Sequence, residues 1–416
     1  MDGDNGIMQH GFQVGSLKLE PLTFWEGVAM IVGTDIGSGV LALAYGARKA
    51  GWPILVFWLI ITAIFTTISM FYTVETTLRT QKPLQVSGLA ERYLGQGGSW
   101  IIFAAVAVNS VGCLIAYTTG SGRILSSFLK AYHITPEVGS LIFFVPSTVI
   151  VWLGLRATGR AEKALTICMG LMMVLLISAS VIHEKFALTQ LIESNWYYGI
   201  PVFNLTIFSY ISQYLVPELT RGFAASGDIR RIPIAIGIGR IFSFILFAGI
   251  PMAAIGLQGK ENVSQVVTIA WGEALGQWAY FTANLFALCA MMTSFWTIGE
   301  TLLTNIVDRL KFPDEHNPRY RIVALLMVIV PPFYLAYSGL VDFVNALFYT
   351  GAFAGVIMSI LPISMLARAR LHGDRAPEWN CGRFYHPLLR FFIYLLFGGA
   401  ALYAILQAMG MLPAGW

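Results

Sequence analysis

The first residues whose types and spacing suggest chemistry are Gly33-Thr34-Asp35-Ile36-Gly37-Ser38-Gly39, inside an apolar segment running from about Phe24 to Gly46. An ionised group at bilayer depth is costly unless it has a partner or a task. Three glycines in seven residues weaken a helix there. Irregular backbone is tolerated at that depth only where protein or a water-filled cavity surrounds it. The stretch therefore predicts a discontinuous helix whose free N–H and C=O groups hold a polar ligand. The competing explanation is a small-residue packing face for a neighbouring helix. Asp35 tips the balance towards a site.

A second stretch has the same character. Phe208-Ser209-Tyr210-Ile211-Ser212-Gln213-Tyr214-Leu215-Val216-Pro217 places polar groups in the middle of an apolar segment, and Pro217 removes a backbone donor. An ordinary proline kink would explain it alone. A matching break five spans earlier favours an inverted repeat with the site between its halves. Thr293 and Ser294 add two adjacent hydroxyl oxygens in a later apolar segment. Such hydroxyls also commonly bond back to their own helix.

The elements that must position these residues are membrane spans. The chain has 416 residues, 56% hydrophobic and 12% charged, with mean hydropathy +0.69. Soluble domains carry about 25% charged residues. Eleven spans are predicted, near residues 24–46, 53–77, 99–128, 137–155, 162–183, 199–221, 233–256, 278–306, 321–340, 343–366 and 388–410. Residues 1–20 are a polar tail without the basic start of a cleavable signal. The rest, 21–416, is one domain: a first repeat over about 21–185, a second over about 195–367, and an extra helix at about 388–410. The short loops leave no room for a soluble catalytic domain.

Charge placement sets the predicted orientation. With a cytoplasmic N-terminus, nineteen of the 26 lysines and arginines fall inside, among them Arg79, Arg156, Lys163, Arg230, Arg231, Lys311 and Arg370. Six fall outside: Arg48, Lys49, Arg123, Lys130, Lys185 and Lys260. The positive-inside rule then places the C-terminus outside, in a plasma (cytoplasmic) membrane protein. Arg240, within span 7, is predicted to snorkel to the cytoplasmic interface without a role in the site. Cys113, Cys168, Cys289 and Cys381 give neither a disulfide framework nor metal spacing. No Ser/His/Asp constellation, HExxH or phosphate-cradling loop is present, so an enzyme is not expected. The net charge of +4 is spread over loops, and no nucleic-acid partner is expected. Oligomeric state is left open.

Several motifs carry a family resemblance. The run Gly33–Pro53, GTDIGSGVLALAYGARKAGWP, resembles the first span of the amino acid/auxin permease family and of the related hydroxy/aromatic amino acid permeases. Ala116-Tyr117 followed by Gly120, Gly122 and Leu125 looks like their third-span pattern. Val216-Pro217-Glu218-Leu219, Thr293-Ser294-Phe295, Pro331-Pro332 and Pro362 are similar in order and spacing. The resemblance implies an all-α integral membrane protein with the LeuT-type 5+5 inverted repeat of the amino acid–polyamine–organocation superfamily, helices 1 and 6 discontinuous. It further implies secondary transport of an amino acid coupled to H⁺ or Na⁺, with no other cofactor. Asp35 stands where relatives carry a small or aliphatic residue, and Gln213 where aromatic permeases often carry histidine.

For such a substrate, the N–H groups of Ser38 and Gly39 would face the carboxylate. The C=O groups near Phe208 and Ser209 would face the amine, with Asp35 as a possible counter-charge. Thr34 and Gly37 border the first break. Ser209, Tyr210, Ser212 and Gln213 would contact the substrate side chain or re-satisfy the broken backbone. By the resemblance, Thr293 and Ser294 belong to a sodium site completed by carbonyls of Gly33, Ile36 and Ala290. Asp35 is the alternative ion carrier, by exchanging a proton or by ligating sodium, or else a salt-bridge partner. Two other readings remain at this stage: a divalent-metal transporter on the same fold, and a non-transporting amino acid sensor.

Overall fold

The computed structural model describes residues 21–153, 159–310, 318–413 and 415. The predicted tail 1–20, Arg156 and Lys311 lie outside them. All regular structure among the described residues is helical.

The chain opens with α1 (Phe24–Asp35), set by a capping box in which Thr23 Oγ1 accepts from Glu26 N–H at 3.3 Å and Glu26 Oε2 accepts from Thr23 N–H at 3.0 Å. It stops at Ile36-Gly37. The next helix, α2 (Ser38–Gly46), is bent from it by 50°. Next come α3 (Trp52–Leu78), with Pro53 in its first turn where a missing N–H does no harm, and α4 (Val86–Phe128). Gly95, at φ 71°, divides α4 into a short arm and a long span. Helices α5 (Pro136–Leu153) and α6 (Gly159–Ile182) complete the first half.

The second half begins with another broken pair. Helix α7 (Gly199–Ser209) ends in non-helical backbone over Tyr210–Ser212, followed by a single 3₁₀ turn and α8 (Val216–Ser226). It continues through α9 (Ile232–Gln258), α10 (Val267–Leu275), α11 (Gln277–Leu310) and α12 (Pro318–Tyr337). Span 10 is α13 (Phe343–Thr350) joined to α14 (Val356–His372) by a π turn at Gly351–Gly355. Helix α15 (Pro387–Ala408) closes the chain.

Among the described residues, eight helices are long and apolar enough to cross a membrane, or nine if α1 and α2 are one bent span. The predicted spans 5 and 6 are not among these. The apolar stretch described in α6 is Ile167–Ile182, and the break leaves α7 and α8 with 11 residues each. The loop after α9 is not irregular throughout, since it holds α10.

Large apolar side chains lie on both sides of the helix layer. Trp271, Phe247, Phe295 and Phe348 fill the core, whereas Ile64, Leu171, Val145, Leu285 and Leu395 point outwards and are about half exposed or more. Apolar surface inside and out is the pattern of a protein dissolved in lipid. Helices α1 and α2 are held in the middle: α1 packs on α9, and α2 packs on α7 and α9. At the far end of α3, Glu75 is completely buried. It accepts from Arg370 Nε and Nη2 and from Arg79 Nε, each at 2.9 Å, and from the Cys381 backbone N–H at 2.9 Å. This clasp ties α3 to α14 and to the loop before α15.

Candidate functional site

The two helix breaks meet. A methyl group built on Gly39, in the first turn of α2, would lie 2.9 Å from Ser209 Oγ and 3.1 Å from the Phe208 ring at the end of α7. Only a glycine lets α2 and the end of α7 approach so closely. Ile36 and Gly37 do not extend α1, and the start of α2 presents N–H groups without intrahelical acceptors. Nothing lies within 4 Å of the methyl position at Gly37. The chain therefore has one tight and one open glycine at the same break.

The open side of Gly37 borders two neighbouring spaces that share lining residues. A cavity of about 460 Å³ is lined by Leu22, Glu26, Gly33, Thr34, Gly37, Tyr117, Tyr214, Ser294 and Thr297. Its volume is in the range of small-molecule sites. Next to it is a space of about 40 Å³, lined by Gly33, Ile36, Gly37, Ser38, Tyr117, Ala290, Met291, Thr293 and Ser294 among others. All five residues expected around a sodium ion other than Asp35 thus gather at one small void. The Thr293 hydroxyl donates back to the Cys289 and Ala290 carbonyls at 3.2 and 3.1 Å, and its lone pairs remain for a cation.

Asp35 lies elsewhere. Both its oxygens accept from Arg240 Nη1, at 2.7 and 2.8 Å, and Oδ2 also accepts from Ser243 Oγ at 2.7 Å. The side chains are 0% and 4% exposed. Arg240 does not snorkel to the interface as its sequence position suggested. A carboxylate on the adjacent helix supplies a partner within the protein, which removes the reason to reach for water. Arg240 Nη2 further donates to the Tyr210 carbonyl at 3.0 Å and touches Met70 Sδ at 3.0 Å. The same guanidinium therefore meets the last residue of α1 and the residue that caps α7.

The other expected contacts divide. Thr34 Oγ1 donates to Met30 O at 2.8 Å and Ser209 Oγ to Leu205 O at 3.0 Å, both within their own helices. Tyr210 is fully buried with its ring edge-on to Phe247, the planes 67° apart. Gln213 Nε2 reaches Ser359 Oγ on α14 at 3.4 Å. Gly39, Phe208, Ser209, Tyr210, Ser212 and Gln213 do not line either cavity; Thr34, Gly37, Ser38, Tyr117 and Tyr214 do. Sequence reasoning read Tyr117 only as part of a motif. Its position about one helical turn before Gly120 is the signal that would have placed it at a close helix approach.

Comparison with known proteins agrees with this geometry. The solved structure of MhsT in complex with L-phenylalanine superposes with a TM-score of 0.61, covering 93% of this chain and 100% of that one at 16% identity. The two share a fold, and the LeuT-type architecture expected from the motifs is the one observed. The chain is 23% identical over 354 residues to tyrosine-specific transport system 1 of Haemophilus influenzae, covering 82% of this chain and 87% of that protein. It is 26% identical over 369 residues to the tryptophan-specific transport protein of the same organism, covering 82% and 86%. The amino acid/auxin permeases, named beside the aromatic permeases on motif grounds, are not the family matched. Residues 21–398 match the tryptophan/tyrosine permease family, and the chain belongs to that family of membrane amino acid transporters.

Proposed function

We propose that this protein is a sodium-coupled symporter of aromatic amino acids, working by alternating access around the breaks of α1/α2 and α7/α8. The observation that carries the reading is the contact of those two breaks at Gly39, beside a cavity that opens at Gly37. Helix breaks at mid-depth are where folds built from inverted repeats hold their cargo. The N-terminus of α2, at Ser38 and Gly39, suits the carboxylate. The tyrosine and tryptophan specificities named for the relatives, and the phenylalanine in MhsT, favour an aromatic side chain, which Tyr117 and Tyr214 would receive in the cavity.

Sodium is favoured over a proton by two features. The small void at Gly33, Ile36, Ala290, Thr293 and Ser294 offers hard oxygen donors. Asp35 is already committed to Arg240 and Ser243, so both of its oxygens are occupied. The same commitment weighs against the divalent-metal reading. With the N-terminus assigned to the cytoplasm by charge, the cavity at Leu22 and Glu26 opens inwards.

The test is uptake of labelled tryptophan, tyrosine and phenylalanine into proteoliposomes under an inward sodium gradient and, separately, an inward proton gradient. Sodium-driven uptake that is lost in T293A/S294A is the expected result. Uptake driven by protons alone, unchanged in T293A/S294A, would replace the sodium assignment. Substrate binding with no uptake under either gradient would favour a sensor.

A further inference from the structure

The end of α1 and the end of α7 converge on one point, and both are negative. Helix C-termini carry partial negative charge from their unsatisfied carbonyls. Here the last residue of α1 is itself a carboxylate, Asp35, and the cap of α7 is Tyr210, whose carbonyl faces the same spot. Without a cation this convergence would be strongly unfavourable in a dry interior. The oxygens on offer are a carboxylate, a main-chain carbonyl and the hydroxyl of Ser243. That is a ligand set for a small hard cation. The cation present is a guanidinium, delivered from α9 by Arg240, which lies 5.0 Å from the Tyr210 ring as well.

We propose that Arg240 is a tethered cation, a positioning residue that holds the two helix breaks together where a mobile ion would otherwise be needed. It satisfies Asp35, so the carboxylate does not compete for the amine of a bound substrate. It also fixes the Tyr210 carbonyl, and with it the direction in which the end of α7 faces. The site is thus balanced in charge before any substrate arrives. The uptake readout below rests on the transport reading above; the unfolding readout does not.

The consequence is specific. Removing the side chain in R240A leaves a vacancy shaped for a guanidinium and lined by Asp35. A small cation from solution should then enter it, whereas a residue with only a packing role would leave no such dependence. The experiment compares wild type, R240A, D35N and D35N/R240A in sodium-free choline buffer, with methylguanidinium at millimolar concentrations as the probe and methylurea as its uncharged control. Thermal unfolding in detergent is read first. Methylguanidinium should raise the melting temperature of R240A, since a ligand that binds only the folded state stabilises it. It should leave wild type and D35N/R240A unchanged, and methylurea should do nothing to any of them.

The second readout is uptake of labelled aromatic amino acid with a sodium gradient added. R240A should lose at least tenfold, and methylguanidinium should recover several-fold. Melting of R240A that ignores methylguanidinium, or a response of equal size in D35N/R240A, would overturn the proposal. Should R240A and D35N fail to accumulate in the membrane, D35N/R240A, which carries neither charge, must accumulate better than either. If it does not, charge balance is not the role of the pair and the proposal falls. Absence of uptake by wild type would refute the transport reading and leave the unfolding readout to decide the role of Arg240.

Discussion

Replacing Gly39 by alanine should loosen the contact between the two breaks, whereas the same change at Gly37, two residues earlier, should leave the fold intact. The added methyl at Gly39 would sit 2.9 Å from Ser209 Oγ and 3.1 and 3.2 Å from two ring carbons of Phe208. The first approach is closer than packed atoms tolerate. Ser209 can relieve it by rotating, at the cost of its 3.0 Å bond to Leu205 O, worth about 1 kcal/mol. The Phe208 contacts must still widen by a few tenths of an ångström. Overpacking of this kind costs about 1–3 kcal/mol. With the hydrogen bond included, about 2 kcal/mol is expected, roughly thirty-fold in the folding equilibrium. At Gly37 the methyl meets nothing within 4 Å and enters the cavity. Thermal unfolding in detergent and binding of labelled aromatic amino acid, measured on G37A, G39A and G39A/S209A, separate the two effects. G39A should melt lower, and the S209A change should recover part of the loss. G37A should melt as wild type but bind several-fold more weakly. A neutral G39A alongside a poorly folding G37A would refute the assignment of which glycine makes the contact and which borders the site.

Three further outcomes follow from the same structure. G351A should be harsher than G39A and sit at or above the upper end of about 1–3 kcal/mol, because its methyl would overlap the Asn204 carbonyl oxygen, a main-chain atom that cannot swing away; the yield of folded protein from membranes reads this. E75A should cost towards the lower end of about 3–5 kcal/mol, since the carboxylate is fully buried but its partners Arg79 and Arg370 are 20% and 31% exposed and can rehydrate; chemical unfolding in detergent checks the value. Burial, and then the donation of its thiol to the Glu75 carboxylate at 2.9 Å, push the Cys381 thiol well above its ordinary value. The thiolate is the reactive form, so Cys381 should resist maleimide at pH 8 and react faster as pH rises or when Glu75 is replaced by glutamine, as mass spectrometry of the labelled peptide would show.

The positions of the breaks were readable from sequence because both depend on local properties. Glycines, an aspartate and a proline act on the backbone within a turn of where they stand, so Ile36-Gly37 and Tyr210–Ser212 are irregular where expected. The gathering of Gly33, Ile36, Ala290, Thr293 and Ser294 was also anticipated, though through family motifs rather than spacing. The partner of Asp35 was not. Arg240 is 205 residues away, and one arginine in an apolar helix looks the same whether it reaches for the interface or for a carboxylate. The hydroxyls of Thr34 and Ser209 turned to their own helices, an outcome that depends on rotamers no periodicity encodes. Span 6, read from sequence as one interrupted segment, is two helices of 11 residues each on either side of its break.

The π turn at Gly351–Gly355 alters the screw of span 10. Bonding one residue further along the chain inserts one residue without opening the helix. Since each residue of an α-helix turns by about 100°, everything after the turn is shifted in phase by that amount relative to an uninterrupted helix. Ser359 faces Gln213 and the Ser69 hydroxyl bonds to its carbonyl, while Arg370 faces Glu75, because of that shift. Deleting a single residue between 351 and 355 would wind the span into one regular helix and swing both faces away from their partners at once. One inserted residue thus keeps in step the break of span 6 and a clasp on the far side of the membrane from the start of span 10.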